Sequence, residues 1–78
     1  MQDHPRISID PAVMVGKPCI RGTRITVEHV INLMGEGWTP DDLLRNYPHL
    51  THEDILACLR YAGDVMRDER VYPLPAAE

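Results

Sequence analysis

Two hexapeptides, WTPDDL at 38–43 and LTHEDI at 50–55, repeat one grammar: an apolar residue, Thr, two further residues, Asp, an apolar residue. Each reads as the start of an α-helix. The Thr hydroxyl accepts from a first-turn amide that has no partner within the helix, and the Asp three positions on can return a bond, a capping-box variant. The same carboxylates suit the positive end of the helix dipole. Trp38 with Leu43, and Leu50 with Ile55, stand at the spacing of a hydrophobic staple. Pro40 falls at the first helical position, where its missing N–H costs nothing.

These starts divide the second half of the chain. The helix from Thr39 is short, with Leu43 and Leu44 as its inner face, and Pro48 stops it near Asn46. The helix from Thr51 carries an apolar stripe of Ile55, Cys58 or Leu59, Ala62, then Val65 or Met66. Running to near Asp68, it would be about 27 Å long. The connection Tyr47-Pro48-His49-Leu50 fits a helix-turn-helix, and fits other small helical bundles as well. Upstream, TVEHVINLMGEG (26–37) places Val27, Val30, Ile31 and Met34 on one face, with Thr26 as N-cap and Gly35 or Gly37 as terminator.

The first third reads as extended. Ile7 and Ile9 alternate with polar neighbours, the period of a half-buried strand, until Asp10-Pro11 breaks it. Cys19-Ile20 and Arg24 to Val27 flank Arg21-Gly22-Thr23, a hairpin whose turn asks Gly22 for positive φ. The expected fold is mainly α and a single domain over 1–78. Short N-terminal strands or a hairpin (1–27) precede a three-helix homeodomain-like helix-turn-helix bundle (28–69) and a tail (70–78).

A 78-residue chain without Phe and with one Trp must build its core from Leu, Ile, Val and Met. Such a chain buries only about 60% of its unfolded surface, so a homodimer is expected to complete it. Two cysteines are too few for a disulfide scaffold, no apolar run approaches the length of a bilayer span, and a cytoplasmic protein without a membrane partner is expected. The net charge of −4 is unevenly spread. Residues 1–24 hold four cations against two acids, and the remainder holds four against ten. A partner therefore meets two electrostatically different surfaces.

The stretch GKPCIRGTRITV (16–27) matches G-x-P-x-I-x-G-T-R-I-x-V, and GEGWTPDDLLRNYPHLTHEDILACLRYAGD follows it in order. Together they resemble the small prokaryotic family catalogued as domain-of-unknown-function family 433, over about residues 6–67. The resemblance implies an N-terminal strand region before a homeodomain-like helix-turn-helix. It also implies a role as antitoxin, since members are often encoded beside a PIN-like ribonuclease-type protein.

Candidate sites follow from charge and from the tail. Lys17, Arg21 and Arg24 form a basic stretch able to contact phosphates, with Arg45 on the second helix and Arg60 on the third as further cations. The third helix begins with His52, Glu53 and Asp54, and two carboxylates there oppose insertion into a DNA groove. Tyr61, Arg67, Arg70, Val71, Tyr72 and Leu74 are candidate partner contacts at the C-terminal end, where antitoxins of this kind cover the toxin. His49, His52, Glu53 and Cys58 do not converge as a metal set in the linear pattern, and Cys19 lacks an activating His. No phosphate-binding glycine loop, catalytic constellation or cofactor motif is present, so no enzyme is expected. The expected function is an antitoxin-like protein that binds a PIN-like toxin and operator DNA. A stand-alone helix-turn-helix regulator and a structural dimer module are the alternatives.

Overall fold

The computed structural model describes residues 4–68. Its elements are β1 (Ile7–Ser8), a 3-10 turn (Met14–Gly16), β2 (Cys19–Ile20), α1 (Val27–Gly35), α2 (Pro40–Asn46) and α3 (His52–Asp68). β1 and β2 pair antiparallel, Ile7 opposite Ile20 and Ser8 opposite Cys19. A short two-stranded sheet followed by three helices is the architecture expected from the sequence.

Both capping boxes close. Thr39 Oγ accepts from the Asp42 amide at 3.2 Å, and Asp42 Oδ2 accepts from the Thr39 amide at 2.8 Å. At α3 the same bonds run between Thr51 and Asp54, at 3.2 and 3.0 Å. Thr26 caps α1, its hydroxyl accepting from the His29 amide. Gly37, at φ 107°, rather than Gly35, ends α1. The Trp38 amide reaches back to the Leu33 carbonyl and the Gly37 amide to that of Met34, the paired bonds of a Schellman motif.

The strand region differs in detail from the expected hairpin. Gly22 takes φ 82°, and the Thr23 amide bonds the Ile20 carbonyl, so the turn is there. Beyond it, pairing shrinks to one bridge, Cys19 with Thr26, because Thr26 is already committed to capping α1. The Ile20 amide still bonds the Ile25 carbonyl and the Val27 amide that of Pro18, while the ladder of β2 is built with β1. Ile9, expected on a buried strand face, is 58% exposed, since Asp10 starts a turn directly after β1: its carbonyl accepts from Val13 and its carboxylate from Ala12.

α3 packs against α1, α2 and β1. Ile7, Ile20, Val27, Val30, Leu43, Leu50, Ile55, Ala57 and Cys58 form the core between them. Along the stripe of α3 the structure selects Cys58 over Leu59, which is exposed, and Val65 over Met66. Among the described residues no helix is long and apolar enough to cross a membrane.

An ion pair and a histidine–carboxylate hydrogen bond lock the N-terminal segment along α3. Arg6 donates to Asp54 Oδ1 at 3.1 Å, and His4 Nε2 stands 2.7 Å from Asp64 Oδ2, with Arg67 on the other oxygen at 2.8 Å. The His4 bond, helped by Arg67, holds the Asp64 carboxyl below its ordinary value against the effect of burial. Burial pushes Asp54 up, yet the Thr51 amide, the Arg6 guanidinium and the Thr51 hydroxyl outweigh it and bring that carboxyl down as well. A carboxyl whose pKa is lower in the fold than in the open chain stabilises the fold above the open-chain value. That stability is lost as pH falls through the folded value. The melting temperature should therefore stay level on acidification to about pH 5 and fall below about pH 4, near the open-chain carboxyl pKa. Thermal melts across that range check this, and Asp54→Asn should flatten the fall.

Candidate nucleic-acid interface

The five cations read as phosphate contacts occupy different environments. Arg21 is turned back onto its own fold: Nε donates to the Pro5 carbonyl at 2.6 Å and a terminal nitrogen to the Ile7 carbonyl at 3.2 Å. In the motif it matches its basic neighbours, but in the fold it clamps the N-terminal segment to β2. Lys17 pairs with Glu28 at 3.2 Å and Arg45 with Asp42 at 3.3 Å, both at exposed positions. Exposed pairs contribute about 0–1 kcal/mol, so a phosphate can displace either carboxylate. Arg24 and Arg60 are exposed and have no ion-pair partner among the described residues.

The different duties of Arg21 and Arg24 have a direct consequence. Charge-assisted hydrogen bonds contribute about 1.5–3 kcal/mol each at best, and exposure lowers that, so Arg21→Ala should cost about 1–2 kcal/mol of stability. Arg24→Ala should shift stability by less than about 0.5 kcal/mol, as a surface change remote from such contacts. Urea unfolding of the two variants measures the difference.

Arg24 does not stand alone. It borders a shallow depression with Met14, Thr26, His29 and Tyr47. His29 Nε2 lies 3.1 Å from the Tyr47 hydroxyl, and the two rings meet edge to face at 6.2 Å. Tyr47 is also the C-cap of α2, the first residue of the turn into α3. A guanidinium, an imidazole and a phenol thus gather beside the turn of the helix pair, and all three are side chains that bind phosphate or sugar oxygens. Nothing in the sequence singles out His29 and Tyr47. The helical period places His29 off the apolar face, but nothing local connects it to Tyr47.

The carboxylates at the start of α3 also separate. Asp54 is buried in its cap and its Arg6 pair, which leaves Glu53 as the exposed acid of the first turn. Arg60 shares the solvent side of the helix with His52, Glu53 and Leu59. The objection raised by paired carboxylates at this turn is therefore halved.

The remaining candidates are quickly placed. Tyr61 is half-buried, its ring edge-on to His4 at 5.2 Å, and Arg67 is held by Asp64. Arg70, Val71, Tyr72 and Leu74 lie outside the described residues. Cys19 and Cys58 are buried free thiols. Burial, with the Asp54 charge nearby, pushes the Cys58 thiol up to about 11, which suits packing and not nucleophilic or ligand chemistry. Among the described residues no three of His, Cys, Asp and Glu gather as a metal set.

A family model described as "Protein of unknown function (DUF433)" matches residues 7–62. The chain belongs to the DUF433 family. The crystal structure of a DUF433 member protein from Anabaena variabilis ATCC 29413, at 2.00 Å resolution, is similar with a TM-score of 0.76 and 36% sequence identity. The match covers 81% of this DUF433 chain and 62% of that protein, so the chain spans less than two thirds of its relative's length. No curated protein matches the chain.

Proposed function

We propose that this DUF433 chain is an antitoxin-like binding protein: a homodimer that seats its helix-turn-helix on operator DNA and holds a PIN-like ribonuclease toxin. The observation that carries the DNA half is the cluster of Arg24, His29 and Tyr47 beside the turn into α3, with Arg24 uncompensated among the described residues. Arg60 adds a second open cation on α3 itself. The buried carboxylates of Asp54 and Asp64 are neutralised within the fold and do not repel a phosphate backbone. The toxin half rests on the family resemblance and on charge. Residues 25–78 carry ten acids against four cations, two of the acids being the buried Asp54 and Asp64, and the acidic excess that remains suits the rim of a cleft built to bind RNA.

The test of the toxin half is a titration of the purified chain into the RNA-cleavage reaction of the PIN-like protein encoded beside it. Cleavage should fall in proportion to the chain added, and the two proteins should co-elute. Undiminished cleavage with separate elution would leave the stand-alone DNA-binding regulator, which the same Arg24 cluster supports.

A further inference from the structure

The segment between β1 and β2 takes a shape that the protomer does not explain. Met14 and Val15 hold φ of 49° and 57°, and Gly16 follows at 79°. The left-handed region crowds the Cβ of any L-residue, and a β-branched side chain suffers most, so such conformations persist where they serve something. Here the result is exposure. Val15 is 93% exposed and Met14 39%, and neither joins the core cluster. The turn thus holds an apolar knob out to solvent.

Two residues further on, Lys17 and Pro18 close one end of an apolar groove between α1 and α3. Val27 and Ile31 form one wall, Ala62 and Val65 the other, and Met66, 65% exposed, stands at its edge. Its volume of about 250 Å³ falls short of the roughly 300–1,000 Å³ of small-molecule sites. It has the size of a socket for side chains.

We propose that the chain forms a two-fold dimer in which Val15, at the tip of this turn, enters the α1/α3 groove of the other copy. An isologous interface needs one patch that carries both halves of the fit, and here knob and groove adjoin through Lys17. The charges agree. Lys17 and Glu28, paired at 3.2 Å, lie along the groove next to the knob and hence near the two-fold axis. Two such pairs meeting across the axis place each lysine against the second copy's glutamate, a neutral arrangement that a patch of single sign could not make. Burial of Val15 offsets the strain of holding it out, and the shared apolar surface enlarges the core of a chain without phenylalanine. The inference gives geometry to the homodimer in the functional reading and does not depend on its DNA or its toxin.

The experiment uses the full chain alone, so its failure leaves the DNA and toxin tests untouched. Sedimentation equilibrium at micromolar protein should give twice the protomer mass for the wild type. Val15→Asp and Met66→Glu should each weaken self-association by well over roughly tenfold, with far-UV circular dichroism unchanged, because both side chains face solvent in the protomer. Val15→Gly, which accepts the left-handed backbone without penalty and deletes the knob, should do the same. A Val15→Cys/Met66→Cys double variant should cross-link between copies on mild oxidation, since Cys19 and Cys58 are buried. A wild type that stays monomeric overturns the proposal. So does a dimer that survives Val15→Asp, one that survives Met66→Glu, or one whose double-cysteine form does not cross-link, each of which would place the knob on some other partner or surface.

Discussion

Leu43→Ala is expected to remove about 3 kcal/mol of stability, within the 2–5 kcal/mol range of leucine truncation in packed cores. The expectation rests on how α2 is held. The helix has seven residues, too few to be stable by itself, and Leu43 is its one buried residue. Its side chain is fully enclosed among Ile20, Val30, Ile55 and the rest of the core cluster. A domain of this size holds about 4–12 kcal/mol in total, so the loss is a large fraction of the whole. Chemical denaturation should show the midpoint falling steeply. Leu44→Ala, at a half-buried position on the same helix, should cost clearly less. Equal effects at the two positions would mean that α2 is not anchored through Leu43.

Asp54→Ala is the second large effect, at about 2–3 kcal/mol, from charge-assisted hydrogen bonds of about 1.5–3 kcal/mol that it makes to both partners. One carboxylate closes the capping box of α3 through the Thr51 amide and also receives Arg6 from the N-terminal segment. Losing it opens the first turn of α3 and frees the guanidinium that ties β1 to that helix. Asp54→Asn keeps an acceptor for the Thr51 amide and gives up the charge, so it should recover about half of the cost. Asp42→Ala, the matching position of α2, removes a cap with no long-range partner and should cost less than Asp54→Ala. Thermal melts of the three variants at neutral pH rank them.

The contrast between Asp42 and Asp54 shows where the sequence is legible. Both positions were readable as capping carboxylates, because a capping box is written in four consecutive residues. The turn at Gly22, the stop at Gly37 and the inner faces of the helices are local in the same sense and also match. Nothing local announces that Asp54 meets Arg6 across 48 positions, or that Asp64 meets His4 across 60. The same holds for β2, which meets the neighbouring hairpin segment in a single bridge and builds its ladder with β1. That choice was decided by Thr26, whose bond to the His29 amide starts α1 before a second strand can extend.

The candidate site was half visible. Its arginines could be counted, but their duties could not be told apart. Arg21 and Arg24 sit three positions from each other in one motif, and only the fold shows one bonded to the Pro5 and Ile7 carbonyls and the other open to solvent. The meeting of His29 with Tyr47 depends on how α1 and the end of α2 pack. The left-handed backbone at Met14 and Val15 has only Gly16 as a nearby sign, and a β-branched residue argues against it.

The most direct measurement is fluorescence anisotropy of the chain on its own upstream DNA through a salt series, beside an Arg24→Ala/Arg60→Ala variant. Saturable binding that weakens steeply with salt is expected. Each phosphate contact contributes about 0.9 to the slope of log affinity against log salt, so the variant should lose about two from that slope per protomer and bind far more weakly. Binding with the wild-type slope in the variant, or no binding at low salt, would contradict the assignment of this face to DNA.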